Sequence, residues 1–121
     1  MNCSFIIPAY NEEKFLKKTV ESLRESIAGA KIISSGEIIV VDNCSTDRTA
    51  EIAKDIGVNL VNEPVRQIAR ARNAGARHAK GDILFFVDAD TSIEVEHLTL
   101  ACEEILKEKA YGGGALIQFD D

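Results

Sequence analysis

The chain has no long uninterrupted apolar segment. Its first apolar run, residues 5–7, is stopped by Pro8 and is too short to form the core of a signal peptide. No later run approaches the roughly 20 residues that a membrane-spanning helix needs. We therefore expect a cytoplasmic protein, with attachment at the inner face of the membrane as an alternative.

Repeats, linkers and low-complexity segments are absent as well. A length of 121 residues leaves room for one domain with one sizeable core. Apolar residues make up 45% of the chain and charged residues 28%, which is ordinary for a globular protein. We expect residues 1–121 to form a single domain.

Cysteine is scarce in this chain. Cys3, Cys44 and Cys102 are odd in number and far apart, and no Cys-x-x-Cys spacing occurs. This pattern argues against a disulfide framework and against a zinc site. We expect the three cysteines to be small buried hydrophobic residues in a reducing compartment.

Basic residues are outnumbered by acidic ones. The chain has 14 lysines and arginines but 20 aspartates and glutamates, so its formal net charge is -6 at pH 7. A chain of this charge should repel nucleic acid, and we expect no nucleic-acid partner. An anionic ligand would need a local basic patch, a helix amino-terminus or a metal ion.

Strand-like and helix-like segments alternate along the chain. The predicted strands cover residues 3–7, 37–41, 58–61, 83–87 and 115–119. The predicted helices cover residues 14–27, 45–56, 67–79 and 94–109. The strands are continuous apolar runs, which is typical of a mostly parallel open sheet with helices on both faces. The sequence therefore predicts an α/β fold.

Two details of the helices are also predicted. Ser45, Thr46 and Asp47 are good caps for the second helix. The inward face of the last helix should carry four residues, namely Leu98, Cys102, Ile105 and Leu106.

Polar and acidic residues gather where three predicted strands end. Residues 8–12 follow the first strand, Asp42 ends the second, and Asp88 and Asp90 follow the fourth. Ligands of open α/β sheets bind beyond the carboxyl ends of the strands, so these segments predict a site at that edge. Extended backbone would point the Asp88 and Asp90 carboxylates the same way. Two such hard oxygen donors suit Mg²⁺ or Mn²⁺.

Each of these residues also has a purely structural alternative. Asp88 and Asp90 could simply end a strand and cap the next helix. Asp42 could accept hydrogen bonds from a base or a ribose, or it could cap the helix that follows. Tyr10 could lie along a nucleobase or pack against the sheet.

The predicted third helix is rich in arginine. Arg66, Arg70 and Arg77 share one helical face, and charged runs of this kind usually form a surface exposed to solvent. Arg72 and Asn73 fall elsewhere on the helix and could reach the ligand edge.

Four segments together resemble glycosyltransferase family 2. They are IPAYNE at residues 7–12, VDNCSTDRT at 41–49, ARNAG at 71–75 and DAD at 88–90. The segments occur in that family's order and spacing. The resemblance is specific up to about residue 90 and looser beyond it.

The resemblance implies a GT-A fold, a nucleoside diphosphate sugar donor, and transfer with inversion to a polysaccharide, lipid or protein acceptor. It also implies a divalent metal, Mg²⁺ or Mn²⁺, held by Asp88 and Asp90, that would stabilise the leaving diphosphate. The nucleotide-binding residues it implies are Pro8, Ala9, Tyr10, Asn11, Glu12, Asp42, Arg72, Asn73, Asp88 and Ala89.

The chain departs from the family's pattern in two respects. Asn43 stands where the family often has a second acid. The family's general base and a later acceptor-side motif lie further along than this chain reaches, and Asp120 and Asp121 come too soon after the last predicted strand for that role. We therefore expect a donor-binding part, truncated or naturally short, that could self-associate through its exposed last strand.

Two other functions fit part of the pattern. A non-catalytic nucleotide-sugar-binding module would keep the fold without transferring sugar. A haloacid-dehalogenase-type phosphatase also uses Asp-x-Asp after an apolar strand, but its motif normally opens the domain, and Ser92 stands where Thr or Val is expected. A dinucleotide-binding domain is disfavoured because no Gly-x-Gly-x-x-Gly follows the first strand.

Overall fold

The computed structural model describes residues 1–109 and 116–119, in which five strands and four helices alternate. The strands are β1 (Asn2–Ala9), β2 (Ser35–Asp42), β3 (Asn59–Asn62), β4 (Ile83–Val87) and β5 (Leu116–Phe119). The helices are α1 (Leu16–Gly29), α2 (Thr49–Asp55), α3 (Ile68–His78) and α4 (Val95–Lys109). The predicted alternation is confirmed, and the ends of the elements shift by up to a few residues. Asp120 and Asp121 lie outside the described residues.

All neighbouring strands of the sheet run parallel, in the order β3-β2-β1-β4-β5. The chain passes from β1 to β2 and β3 on one side and then crosses over to β4 on the other. The direction in which successive strands are added to the sheet therefore reverses between β1 and β4. In open α/β sheets, such a switch point creates a crevice at the carboxyl ends of the strands. The predicted parallel α/β sheet is confirmed.

The side chains of β1 enter two separate layers of the core, because successive side chains of a strand point to opposite faces of the sheet. Phe5 and Ile7 join the cluster formed with α1 and α4, and the Phe5 ring stacks on Phe85 with 4.8 Å between centroids. Ile6 joins the opposite cluster, where it packs with Ala71 of α3. The sheet is therefore covered by helices on both faces, as expected.

The prediction that Leu106 faces the core is wrong. Leu98, Cys102 and Ile105 are buried as expected, but Leu106 is 45% exposed. It lies about 40° beyond Cys102 on the helical wheel, which places it at the edge of the buried stripe.

The prediction of buried cysteines holds for two of the three. Cys3 and Cys102 are buried, and burial raises the pKa of the Cys102 thiol. Cys44 is exposed, with a positive φ of 68°. It occupies the turn after β2, where its thiol lies 3.0 Å from the Pro64 carbonyl oxygen instead of joining an apolar layer.

Strands β3 and β5 form the two edges of the sheet. Self-association through β5 stays a prediction. Within residues 1–109 and 116–119, none of the helices has the length and apolar character needed to cross a membrane.

Candidate functional site

A cavity of about 460 Å³ opens at the switch point between β1 and β4. The carboxyl ends of these two strands form its floor. Seven residues predicted from the sequence line it, namely Pro8, Ala9, Tyr10, Glu12, Asp88, Ala89 and Asp90. The residues are far apart in sequence and meet because the two strands are parallel neighbours.

Four of the predicted residues do not line this cavity: Asn11, Asp42, Arg72 and Asn73. Asn73 is exposed on α3. Arg72 is half-buried on α3, with its guanidinium 5.7 Å from the Phe86 ring centroid. Its Nε atom is buried and has no hydrogen-bond partner among the described residues.

Asn11 connects the loop after β1 to the loop after β2 through hydrogen bonds. Its Oδ1 accepts hydrogen bonds from the backbone N–H of Thr46 at 2.8 Å and of Asp47 at 3.3 Å. Its own N–H donates to Ser45 Oγ at 2.9 Å. Asn11 has a positive φ of 51°, which asparagine tolerates better than most residues. The residue therefore shapes the rim of the cavity from outside it.

Ser45, Thr46 and Asp47, the expected caps of α2, make different hydrogen bonds. None of the three is the N-cap residue, which is Arg48 and has no side-chain capping bond. Asp47 precedes it, and its Oδ1 accepts a hydrogen bond from the Thr49 N–H at 2.9 Å. Ser45 and Thr46 instead bond to Asn11, as described above. The helix accordingly begins at Thr49, later than predicted.

Asp42 is 9% exposed and closes a turn at the end of β2. Its Oδ1 accepts a hydrogen bond from the backbone N–H of Ser45 at 3.2 Å. Its carbonyl oxygen accepts one from the Glu63 N–H at 3.0 Å. These bonds close a turn before α2, and neither of them caps that helix, which begins at Thr49.

Asn43 connects β2 to the segment that leads into α3. It is 5% exposed, and its Nδ2 donates to the carbonyl oxygens of Glu63 at 3.2 Å and Val65 at 2.7 Å. A carboxylate at this position could only accept hydrogen bonds and would repel both carbonyl oxygens. The departure from the family's second acid therefore has a structural reason in this chain.

The connecting segment contributes three cavity residues that the sequence reasoning missed, Arg66, Gln67 and Ile68. Arg66 was expected on a solvated helical face. The structure begins α3 at Ile68, so Arg66 precedes the helix, and its guanidinium carbon lies 3.7 Å from the Tyr10 ring centroid. Pro64 was the available signal, because it separates β3 from the helix and leaves residues 64–67 at the ligand edge.

Helix α1 holds the loop that carries the two aspartates. The buried Thr19 hydroxyl donates to the Ala89 carbonyl oxygen at 2.6 Å, and the Ser26 hydroxyl donates to the Ile93 carbonyl oxygen. Asp88 is half-buried and Asp90 is exposed. The backbone between the two carboxylates is thus anchored to the core.

The cavity concentrates negative charge. The pKa of Glu12 is raised by its burial and then by the charges of Asp90, Asp47 and Asp88. A cation bound among these carboxylates would relieve their mutual repulsion.

The carboxylates suit one kind of metal site. In the described part of the chain, no three His, Cys, Asp or Glu side chains converge as metal ligands. Mg²⁺ does not need such a cage, since one or two carboxylates usually bind it together with substrate phosphates and water. Mn²⁺ also favours oxygen ligands of this type. Asp88 and Asp90 fit this set of ligands.

We expect Glu12→Gln to stabilise the metal-free protein slightly at neutral pH. Because the folded state raises the Glu12 pKa, the ionised carboxyl opposes folding at every pH above its unfolded pKa. Below that pH the penalty is absent. The gain in the free energy of unfolding should therefore grow from acidic to neutral pH, as measured by urea denaturation with a chelator.

Glu13→Gln is the matched control for this prediction. Glu13 Oε2 accepts a hydrogen bond from the Arg48 N–H at 3.2 Å, so removal of its charge weakens a favourable contact. No gain in the free energy of unfolding is expected for this variant. Equal gains from both substitutions would show that the Glu12 penalty does not come from its burial beside the other carboxylates.

Comparison with known proteins gives a consistent family assignment. The family model of Glycosyl transferase family 2 matches residues 4–120. The chain is 36% identical to 4,4'-diaponeurosporenoate glycosyltransferase of Staphylococcus haemolyticus, over 95% of this chain and 31% of the relative.

Two solved structures share the fold. TarS of Staphylococcus aureus in complex with UDP-GlcNAc has a TM-score of 0.70 and 28% identity, over 88% of this chain and 32% of that one. Glucosyl-3-phosphoglycerate synthase of Mycobacterium tuberculosis, with Mn²⁺ and UDP-glucose, has a TM-score of 0.57 and 30% identity, over 75% and 34%. The chain spans about a third of the length of each of these proteins. The residues that the family model matches, 4–120, nonetheless include all those that line the cavity, and the chain belongs to glycosyltransferase family 2.

Proposed function

We propose that the chain binds a nucleoside diphosphate sugar in the cavity between β1 and β4, as part of a glycosyltransferase that transfers the sugar with inversion. The observation that carries the proposal is the meeting of Tyr10, Asp88 and Asp90 in one cavity. An aromatic face and paired carboxylates suit the two ends of a nucleotide. The UDP-sugar complexes of TarS and glucosyl-3-phosphoglycerate synthase support the same donor class.

The residues that line the cavity take distinct parts in this proposal. The Tyr10 ring stacks on the base, and Pro8, Ala9 and Ala89 form the wall beside it. Direct contacts of Asn11, Asp42, Arg72 and Asn73 with the nucleotide stay predictions, because these residues lie outside the cavity lining.

Asp88 and Asp90 would hold Mg²⁺ or Mn²⁺, which when bound would neutralise charge on the diphosphate as the sugar leaves. The chain itself sets the spacing of the two carboxylates. Thr19 anchors the intervening Ala89 carbonyl, so the loop needs little rearrangement to receive the ligand. The sugar would pass to an acceptor hydroxyl on a polysaccharide, lipid or protein. A cytoplasmic location also stays a prediction.

Calorimetric titration tests the donor site. UDP and GDP are titrated with Mn²⁺ present and then with a chelator, and we expect binding that requires the metal. Asp90→Ala should weaken nucleotide binding at least about tenfold, because half of the protein's metal ligands are removed. Asp55→Ala is the control, since Asp55 is an exposed aspartate at the end of α2 that does not line the cavity.

The outcomes separate the alternatives. Unchanged binding in chelator would contradict the metal's role. No binding of any nucleotide by the wild-type chain would contradict the donor site. A haloacid-dehalogenase-type phosphatase would instead release phosphate from an aryl phosphate, a reaction that the family assignment argues against.

A further inference from the structure

The Arg66 guanidinium lies on the Tyr10 ring, with its central carbon 3.7 Å from the ring centroid. This is the geometry of a cation–π contact. Both side chains line the cavity. A base can use that ring face only after the guanidinium has left it.

The backbone beside Arg66 is tightly held. The Val65 carbonyl oxygen accepts hydrogen bonds from Asn43 Nδ2 at 2.7 Å and from the Gln67 N–H at 2.8 Å. The Val65 N–H donates to Glu63 Oε2 at 2.9 Å. Arg66 itself is exposed to solvent. Its side chain can therefore turn away from the ring about a fixed backbone, without disturbing the core.

Arg66 is also the sole cation among the described residues that line the cavity. The other charged lining residues are Glu12, Asp88 and Asp90, which are all acidic. A diphosphate brings further negative charge into this site. An arginine can bind phosphate oxygens through two parallel N–H donors, so Arg66 is suited to that group.

We propose that Arg66 changes partners when the donor binds. In the free chain it covers the Tyr10 ring, and in the complex it contacts the diphosphate while the base takes its place on the ring. The site thereby discriminates against nucleosides, which must displace Arg66 but offer it no phosphate. This inference rests on the proposed donor site.

The first test needs no ligand. The chain has two tyrosines and no tryptophan, so Tyr111→Phe leaves Tyr10 as the sole strong fluorophore. In that background, Arg66→Ala should raise quenching of Tyr10 by acrylamide by about twofold, because the ring face loses its cover. Arg70→Ala, an exposed arginine on α3, is the matched control and should change nothing. Unchanged quenching in Arg66→Ala would overturn the inference.

The second test compares uridine with UDP, each titrated in the presence of Mn²⁺. Arg66→Ala should tighten uridine binding by about two- to fivefold, since the competing cation–π contact is gone. The same variant should weaken UDP binding by about tenfold, through loss of charge-assisted hydrogen bonds. Arg66→Lys should tighten uridine binding less, because lysine keeps a weaker cation–π contact, and it should retain part of the UDP affinity.

Two results of these titrations would also overturn the exchange. If wild-type protein binds UDP normally and Arg66→Ala weakens uridine and UDP by the same factor, Arg66 is a fixed wall of the base site and the inference alone fails. If wild-type protein binds no UDP with Mn²⁺, the proposed donor site fails and the inference fails with it. The two failures are thus distinguishable.

Discussion

Gly75→Ala should lower the free energy of unfolding by about 2 kcal/mol. A Cβ atom at Gly75 would lie 2.3 Å from Ile6 Cγ2 and 3.1 Å from Val41 Cγ2. Both neighbours are fully buried in the layer between the sheet and α3. Helix α3 must therefore move away from β1 and β2 to admit a methyl group. Urea denaturation followed by circular dichroism measures the loss.

The sign of this effect is informative. Alanine is favoured over glycine inside a helix by about 1 kcal/mol, so an unhindered glycine in α3 would give a gain. The clash must exceed that gain for the variant to lose stability. A more stable Gly75→Ala variant would contradict the close packing of α3 on the sheet.

A double-mutant cycle with Ile6→Ala isolates the contact. Ile6→Ala alone should cost about 2–5 kcal/mol, because it leaves a cavity in the core. It also removes the Cγ2 atom that the new methyl group would strike. The double variant should therefore lose less stability than the sum of the two single variants. Strict additivity would place the effect of Gly75→Ala elsewhere.

Asn43→Asp should lower the free energy of unfolding by about 2–3 kcal/mol at neutral pH. The change is nearly isosteric, but it removes both hydrogen bonds that Asn43 Nδ2 donates to the Glu63 and Val65 carbonyl oxygens. A buried carboxylate would then face two carbonyl oxygens with no donor between them. The segment that carries Arg66 should loosen as a result.

The loss of stability caused by Asn43→Asp should increase with pH. Burial and repulsion would raise the pKa of the introduced carboxyl in the folded state, so the penalty grows as pH rises above its unfolded pKa. At more acidic pH the neutral carboxyl can donate one hydrogen bond, and the deficit relative to wild type should shrink. Asn73→Asp, the same change at an exposed position, is the control and should cost under about 0.5 kcal/mol. A similar, pH-independent loss in both variants would contradict the role of the Asn43 amide.

Much of the fold could be predicted because the strands are short, continuous apolar runs between amphipathic helices. Residues 83–87 are the clearest case, since an apolar strand ends directly at Asp88. The position of Asp88 and Asp90 at the ligand edge then follows from the general rule for parallel sheets. The strand order was not predicted, because pairing between distant strands leaves no signal in local periodicity.

The fine structure of the site was harder to predict. The nucleotide contacts expected of Asn11 and Asp42 stay predictions, and in this structure the two side chains accept hydrogen bonds from backbone N–H groups of the loop after β2. Arg66 was assigned to a helical face that begins only at Ile68. Asn11 and Arg66 each contact a residue on another loop, and the paths of those loops depend on the packed sheet.

The local pattern of apolar and polar residues thus determined which segments form strands and at which end of the strands the candidate site residues lie. Side-chain alternation and helical periodicity act over a few residues, so the chain encodes them directly. Only the tertiary structure decided that Arg66 meets Tyr10 and that Asn43 holds Val65. Those contacts join loops from different strands, and they exist because β1, β2 and β4 bring their carboxyl ends to one edge of the sheet.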